Sequence, residues 1–185
     1  MGEAQSDFSP ASVTDYWRAA GPDRWFKPDE NFDRELRGRF LPAHEAAAAG
    51  ALDSWQEDRA GALALLLLLD QFPRNMFRGT ARAFATDARA RDIARKALAR
   101  GFDGKVEPAL RGFFYLPLMH SEDVNDQERC LALYQAAGDA EGIKFAGIHL
   151  DAIRRFGRFP HRNRALGRES TPEEIAYLEG GGFSG

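Results

Sequence analysis

Ten apolar residues in succession, Ala60 to Leu69, run directly into Asp70-Gln71-Phe72-Pro73-Arg74-Asn75. A bilayer span needs roughly 20 apolar residues, so the run reads as a helix buried inside a globular protein. That helix delivers an acid, a proline break and an arginine into an interior where unpaired charge is expensive. Asp70 is therefore expected to stay charged by pairing with Arg74 or with the Arg162 region. Phe159-Pro160-His161-Arg162-Asn163 repeats the sense of Phe72-Pro73-Arg74-Asn75: an aromatic, a proline that cannot extend a helix, cationic residues and a turn-forming asparagine. Together the two segments mark a polar centre.

The 185 residues are one domain's worth of chain, enough to bury roughly 70% of the unfolded surface. The single cysteine, Cys130, allows no internal disulfide and fits a reducing compartment. The polar, acidic start, Met1 to Asp7, has neither the basic residues nor the apolar stretch of a signal peptide, so the cytoplasm is the expected location. A formal charge of -3 argues against nucleic acid as a partner, and the chain has no apolar span for a membrane.

That small net charge hides segregation. Arg74 to Lys105 holds nine basic residues against Asp87, Asp92 and Asp103, and Glu107 to Asp151 holds eight acids against Arg111, Arg129 and Lys144. Ala152 to Arg168 then contains six arginines (154, 155, 158, 162, 164 and 168), His161 and no acid. Either the basic and acidic segments neutralise one another or face water, or the arginines gather an anion, for which the planar guanidinium is suited.

Helix signals recur every 15 to 20 residues and no useful stretch alternates with period two, so the fold class is all-α. Asp29 to Ala49 reads as a helix ended by Gly50, and Thr86 to Arg100 as one ended by Gly101 and Phe102. Asn125-Asp126-Gln127-Glu128 opens a helix to Gly138, and Asp139 opens the next, to Gly157. On that last helix Ile143, Phe145, Ala146, Leu150, Ile153 and Phe156 share a face with His149, while Asp151 projects away. Glu107 to His120 reads as a buried helix kinked by Pro117, and Thr171-Pro172-Glu173-Glu174 as a capping box with proline at the first helical position. Short loops imply antiparallel helical hairpins in a single domain over residues 11–179, with flexible ends at 1–10 and 180–185.

Several ionisable residues leave the apolar segments at helix breaks. Asp70, His120, Glu122 and His161 are the candidates for acid or base chemistry, and Arg74, Asn75, Ser121, His149, Arg162 and Asn163 for ligand binding. His44, beside an alanine run, lacks such a setting. The histidines and Glu122 have no metal-ligand spacing, so neither a metal nor any other cofactor is expected. Cys130 lies with Val124, Leu131 and Tyr134 on an apolar stripe, as a small hydrophobe. Ser121 lacks the Gly-x-Ser-x-Gly elbow of a nucleophile.

Trp25-Phe26-Lys27, Leu68 to Asn75, Ala83 to Asp87, Tyr115 to Asp123, Phe156 to Asn163 and Leu166-Gly167-Arg168-Glu169-Ser170-Thr171 follow one another in an order that resembles the bacterial domain of unknown function 924 family, from about Val13 to Leu178. The resemblance implies a tetratricopeptide-like array of stacked helical hairpins and the positions of the motif residues named above, with no reaction attached. Three functions remain open on the residues: binding of a small anionic ligand or acidic peptide end in an Asp/His/Glu/Arg-lined pocket, a helical-repeat scaffold for a protein segment with a purely structural polar network, and an acid/base enzyme. Oligomeric state leaves no mark in the sequence.

Overall fold

A computed structural model of the chain describes residues 8–185, and most of the stretch expected to form a flexible N-terminus lies outside them. Among the described residues the structure is helical throughout, with no strand, and no helix is long and apolar enough to cross a membrane. The chain divides into two compact units, one comprising the chain to Arg78 with Arg82–Phe114, the other Gly79–Ala81 with Tyr115–Gly185.

The first unit is built from α1 (Pro10–Ala20), α2 (Pro22–Trp25), α3 (Glu30–Ala48), α4 (Arg59–Leu66), α5 (Phe72–Met76), α6 (Asp87–Ala99) and α7 (Pro108–Arg111). The starts of the longer helices follow local chemistry: Ser9 caps α1, Asp29 accepts from the Asn31 and Phe32 amides, and Asp58 accepts from Ala60 and Gly61. At the end of α6 the Phe102 N–H returns to the Ala97 carbonyl, as Gly101-Phe102 predicts. The apolar run is the centre of this unit. Residues 61–69 are buried, and Trp17, Phe40 and Phe72 meet beside them with ring centroids 5.1–5.2 Å apart, each ring contributing roughly 2–3 kcal/mol of burial.

Pro73 does not break the helix. The backbone widens into one π turn, Leu67–Gln71, in which the Phe72 N–H reaches the Leu67 carbonyl, and helix resumes as α5. Pro73 has no N–H to offer the carbonyls before it, so side chains take them. His44 Nδ1 donates to Leu68 O at 2.8 Å and the Thr86 hydroxyl to Leu69 O.

The second unit contains α8 (Leu116–Met119), α9 (Val124–Ala137), α10 (Ala140–Phe156), a 3-10 turn at Pro160–Arg162 and α11 (Pro172–Glu179). α9 and α10 form a helical hairpin about Gly138, whose φ of 68° is the left-handed conformation that ends a helix. Asp139 caps α10 through the Gly142 N–H at 2.9 Å, and Thr171 and Glu174 form the expected capping box.

Besides the expected break at Pro73, three expectations change. The 107–120 segment is not one kinked helix: it is α7, a 3-10 turn at Gly112–Phe114, and α8, with Pro117 in the first turn of α8 where its missing N–H costs nothing. Asp123 caps α9 by accepting from the Asn125 amide, two residues ahead of the expected start. Phe145, expected on the buried face of α10, is 42% exposed, whereas Ala146, His149, Leu150 and Ile153 are buried.

Candidate functional site: a histidine and aromatic cluster in the second unit

In the first unit the π turn places Asp70 inside the fold, 2% exposed, where Arg74 one turn later reaches it at 3.2 Å. Of the two expected partners Arg74 is therefore the one it takes. The same guanidinium forms two hydrogen bonds with Asp87, at 2.9 and 3.0 Å, and a third with the Asp70 carbonyl at 2.8 Å. Burial would lower the Arg74 pKa, but the two carboxylates outweigh it and hold the pKa above the ordinary value. Asn75 receives a bond from Gln71 and gives one to Asp33, both at 3.0 Å. His44, unremarkable in sequence, is buried against Leu68, and that burial lowers its pKa.

In the second unit the acid-free arginine stretch meets acids from elsewhere in the chain. Arg168 grips Glu122 through two bonds of 2.8 and 2.9 Å, and Glu122 also accepts the Phe159 N–H at 2.8 Å. Glu122 is thereby held below the ordinary carboxylate range: partial burial, the largest influence, pushes it up, but Arg168 and the Phe159 amide together prevail. Arg158 grips Glu174 in the same forked manner at 2.7 and 2.9 Å, lowering that carboxyl to about 2, and Arg154 pairs with Glu128. Asn163 spends its amide on Ser170 and Glu174 and accepts from Arg168. The Ser121 hydroxyl donates to Asp126 at 2.8 Å and accepts the Asp123 N–H. Cys130 is fully buried, and that burial pushes its thiol up to about 12, which removes it as a nucleophile.

The charge segregation is thus largely internal neutralisation. Asp70, Arg74, Asn75, Glu122, Ser121 and Asn163 each sit in a network that uses their hydrogen-bonding capacity within the unit that contains them.

A different group gathers elsewhere in the second unit. His120 leaves the end of α8, His149 projects from the buried face of α10, and His161 sits in the 3-10 turn after Phe159. The His120 and His149 rings lie 6.2 Å apart, the Phe159 ring is 5.5 Å from His149 and 5.6 Å from His161, and the Arg162 guanidinium stands 4.5 Å from the Phe159 ring. Burial first, and the neighbouring His120 second, push His149 down to about 3. Its Nδ1 faces the Phe145 carbonyl at 2.8 Å, and a carbonyl only accepts. The ring is therefore neutral near pH 7, its proton on Nδ1 and a lone pair on Nε2. Among the described residues no group of three or more His, Cys, Asp or Glu side chains is arranged to hold a metal ion.

Sequence reasoning named His120, His149, His161 and Arg162, and missed Phe183, whose ring lies 4.2 Å from His149 and 5.0 Å from His161. It also missed Asp87, Thr86 and Asp126 as partners. Arg168 and Glu174 were visible as motif and cap residues, but not as the anchors of Glu122 and Arg158.

A family model described as a bacterial protein of unknown function (DUF924) matches residues 13–182. Among solved structures, a protein of unknown function from Agrobacterium tumefaciens is similar to this chain at 51% identity and a TM-score of 0.90, covering 92% of this chain and 97% of its own. No curated protein matches.

Proposed function

The chain belongs to the bacterial family of unknown function DUF924, and we propose that it is a binding protein whose site is the His120, His149 and His161 cluster of the second unit, with a small anionic ligand as its occupant. One observation carries this reading. Three imidazoles gather at one place around the Phe159 ring, and the Arg162 guanidinium lies against that same ring. After burial and His120, Arg162 also lowers the His149 pKa, so its positive field reaches the cluster. Imidazole donors and acceptors beside a cation suit a carboxylate or phosphate.

His149 is poorly placed to act as an acid or base near neutral pH. A general base works best with a pKa near the working pH, and His149 at about 3 is far below it. Asp70 and Glu122 are each clamped by an arginine. A single buried cysteine accords with a reducing, cytoplasmic setting.

The test is a melting-temperature series with phosphate, succinate and matched sodium chloride. Stabilisation by phosphate or succinate beyond the salt effect, lost in His161→Gln and Arg162→Gln, is the expected result. Identical melting curves in all three salts would overturn the reading.

A further inference from the structure

After α11 the chain runs through Gly180, Gly181 and Gly182 without regular structure, and then places Phe183 on the histidine cluster. Its ring makes a tilted contact with His149 (4.2 Å, 49°) and edge contacts with His161 (5.0 Å, 85°) and Phe159 (6.1 Å, 70°), above the buried Ala152 and Ile153. These are the geometries aromatic rings prefer. The residues that touch Phe183 thus include two of the three histidines of the anion site, and Arg162 lies against the far partner, Phe159.

The tether is short and hydrogen-bonded. The Phe183 N–H donates to the Tyr177 hydroxyl at 3.0 Å, the Gly181 and Gly182 N–H groups donate to the Leu178 and Tyr177 carbonyls at 3.2 and 2.8 Å, and a Cβ on the exposed Gly185 would come within 3.2 Å of the His161 ring. Three successive glycines lose more backbone freedom on ordering than any other residues would. Gly181 sits at φ 82°, and a Cβ on Gly182 would come within 2.6 Å of the Tyr177 ring, so the path itself is specific and requires glycine. A ring set among imidazoles, with a guanidinium on the far side of Phe159, stands where a ligand's aryl group would stand, and the backbone freedom that three glycines regain favours its release.

We propose, resting on the anion-binding reading above, that the site accepts an aromatic ring together with negative charge, an aryl carboxylate in chemical class, and that Phe183 occupies the ring position until such a ligand displaces it. A ligand that must first displace an internal competitor binds more weakly by the fraction of molecules in which the slot is open.

The probe is 3-phenylpropionate, titrated calorimetrically into the full chain and into Phe183→Ala, with propionate as the ringless control and succinate as the anion control. The variant should bind 3-phenylpropionate about tenfold more tightly than the parent, as for a slot about nine-tenths closed, and propionate should gain nothing. Equal affinity in parent and variant overturns the inference. Failure of both to bind the aryl acid while succinate still binds overturns the ring preference alone, and failure of every anion overturns the underlying reading as well. Fluorophenylalanine placed at 183 in the otherwise unchanged chain supplies a second readout that does not depend on the variant folding. Saturating 3-phenylpropionate should move its fluorine resonance to that of a solvent-exposed ring, and an unmoved resonance overturns the inference.

Discussion

Arg74 lies between two buried carboxylates, so the three residues should respond to substitution very unequally. Its nitrogen is 3.2 Å from Asp70 and 2.9 Å from Asp87, with side-chain exposures of 15%, 2% and 10% for Arg74, Asp70 and Asp87. At those distances each attraction amounts to about 5 kcal/mol at an effective dielectric of 20, and most of it is cancelled by taking the charges out of water. Arg74→Met leaves two carboxylates buried without their cation and should cost about 4 kcal/mol. Asp70→Asn leaves Arg74 on its two bonds to Asp87 and an amide oxygen still able to accept, so it should cost only about 1 kcal/mol. Joining the two removes the most deeply buried orphan charge, so the double variant should be more stable than Arg74→Met by about 1–2 kcal/mol. Urea denaturation followed by tryptophan fluorescence suits the question, because Trp17, Trp25 and Trp55 all belong to the first unit. Equal losses for Asp70→Asn and Arg74→Met, or a double variant less stable than Arg74→Met, would refute the reasoning.

Two further outcomes follow from single contacts. His149 has a folded pKa of about 3, below its ordinary value of 6.5, so between those values the unfolded chain takes up a proton that the folded chain refuses. The stability it contributes is whole above pH 6.5 and is lost as pH falls: from pH 7 to pH 5 the parent should lose about 2 kcal/mol more than His149→Gln in urea midpoints, and parallel losses would show His149 to be protonated in the fold. Gly61 lies so close to Trp55 that an added Cβ would fall 2.0 Å from the Trp55 carbonyl oxygen, so Gly61→Ala should cost about 2 kcal/mol or more despite its better helix propensity, and an unchanged or raised melting temperature would refute that contact.

Helix limits were legible because the groups that set them lie within a turn of one another. Asp139 with Gly142, Thr171 with Glu174, and Gly101 with Phe102 are local bargains between side chain and backbone, and each is found where the residues predicted. The burial of residues 61–69 and of His149 was likewise written in apolar pattern. The continuation through Pro73 was not. It depends on His44 and Thr86, 24 and 17 residues from the carbonyls they satisfy, and nothing near Pro73 announces them. The same separation hid the fate of the arginines: Arg168 finds Glu122 across 46 residues and Arg158 finds Glu174 across 16. A charge pattern states that acids and bases are available in matching numbers, but which acid an arginine meets is decided by helix packing. Phe183 is the sharpest case. By composition its glycine-rich segment is a loose end, and only the recess formed by α10 and the Pro160 turn gives its ring somewhere to go. The sequence by itself thus determined an all-helical chain, its caps and its apolar segments, because these follow from neighbours a few bonds apart. Tertiary structure decided which charges neutralise each other and which histidines gather, because those depend on side chains meeting across long stretches of chain.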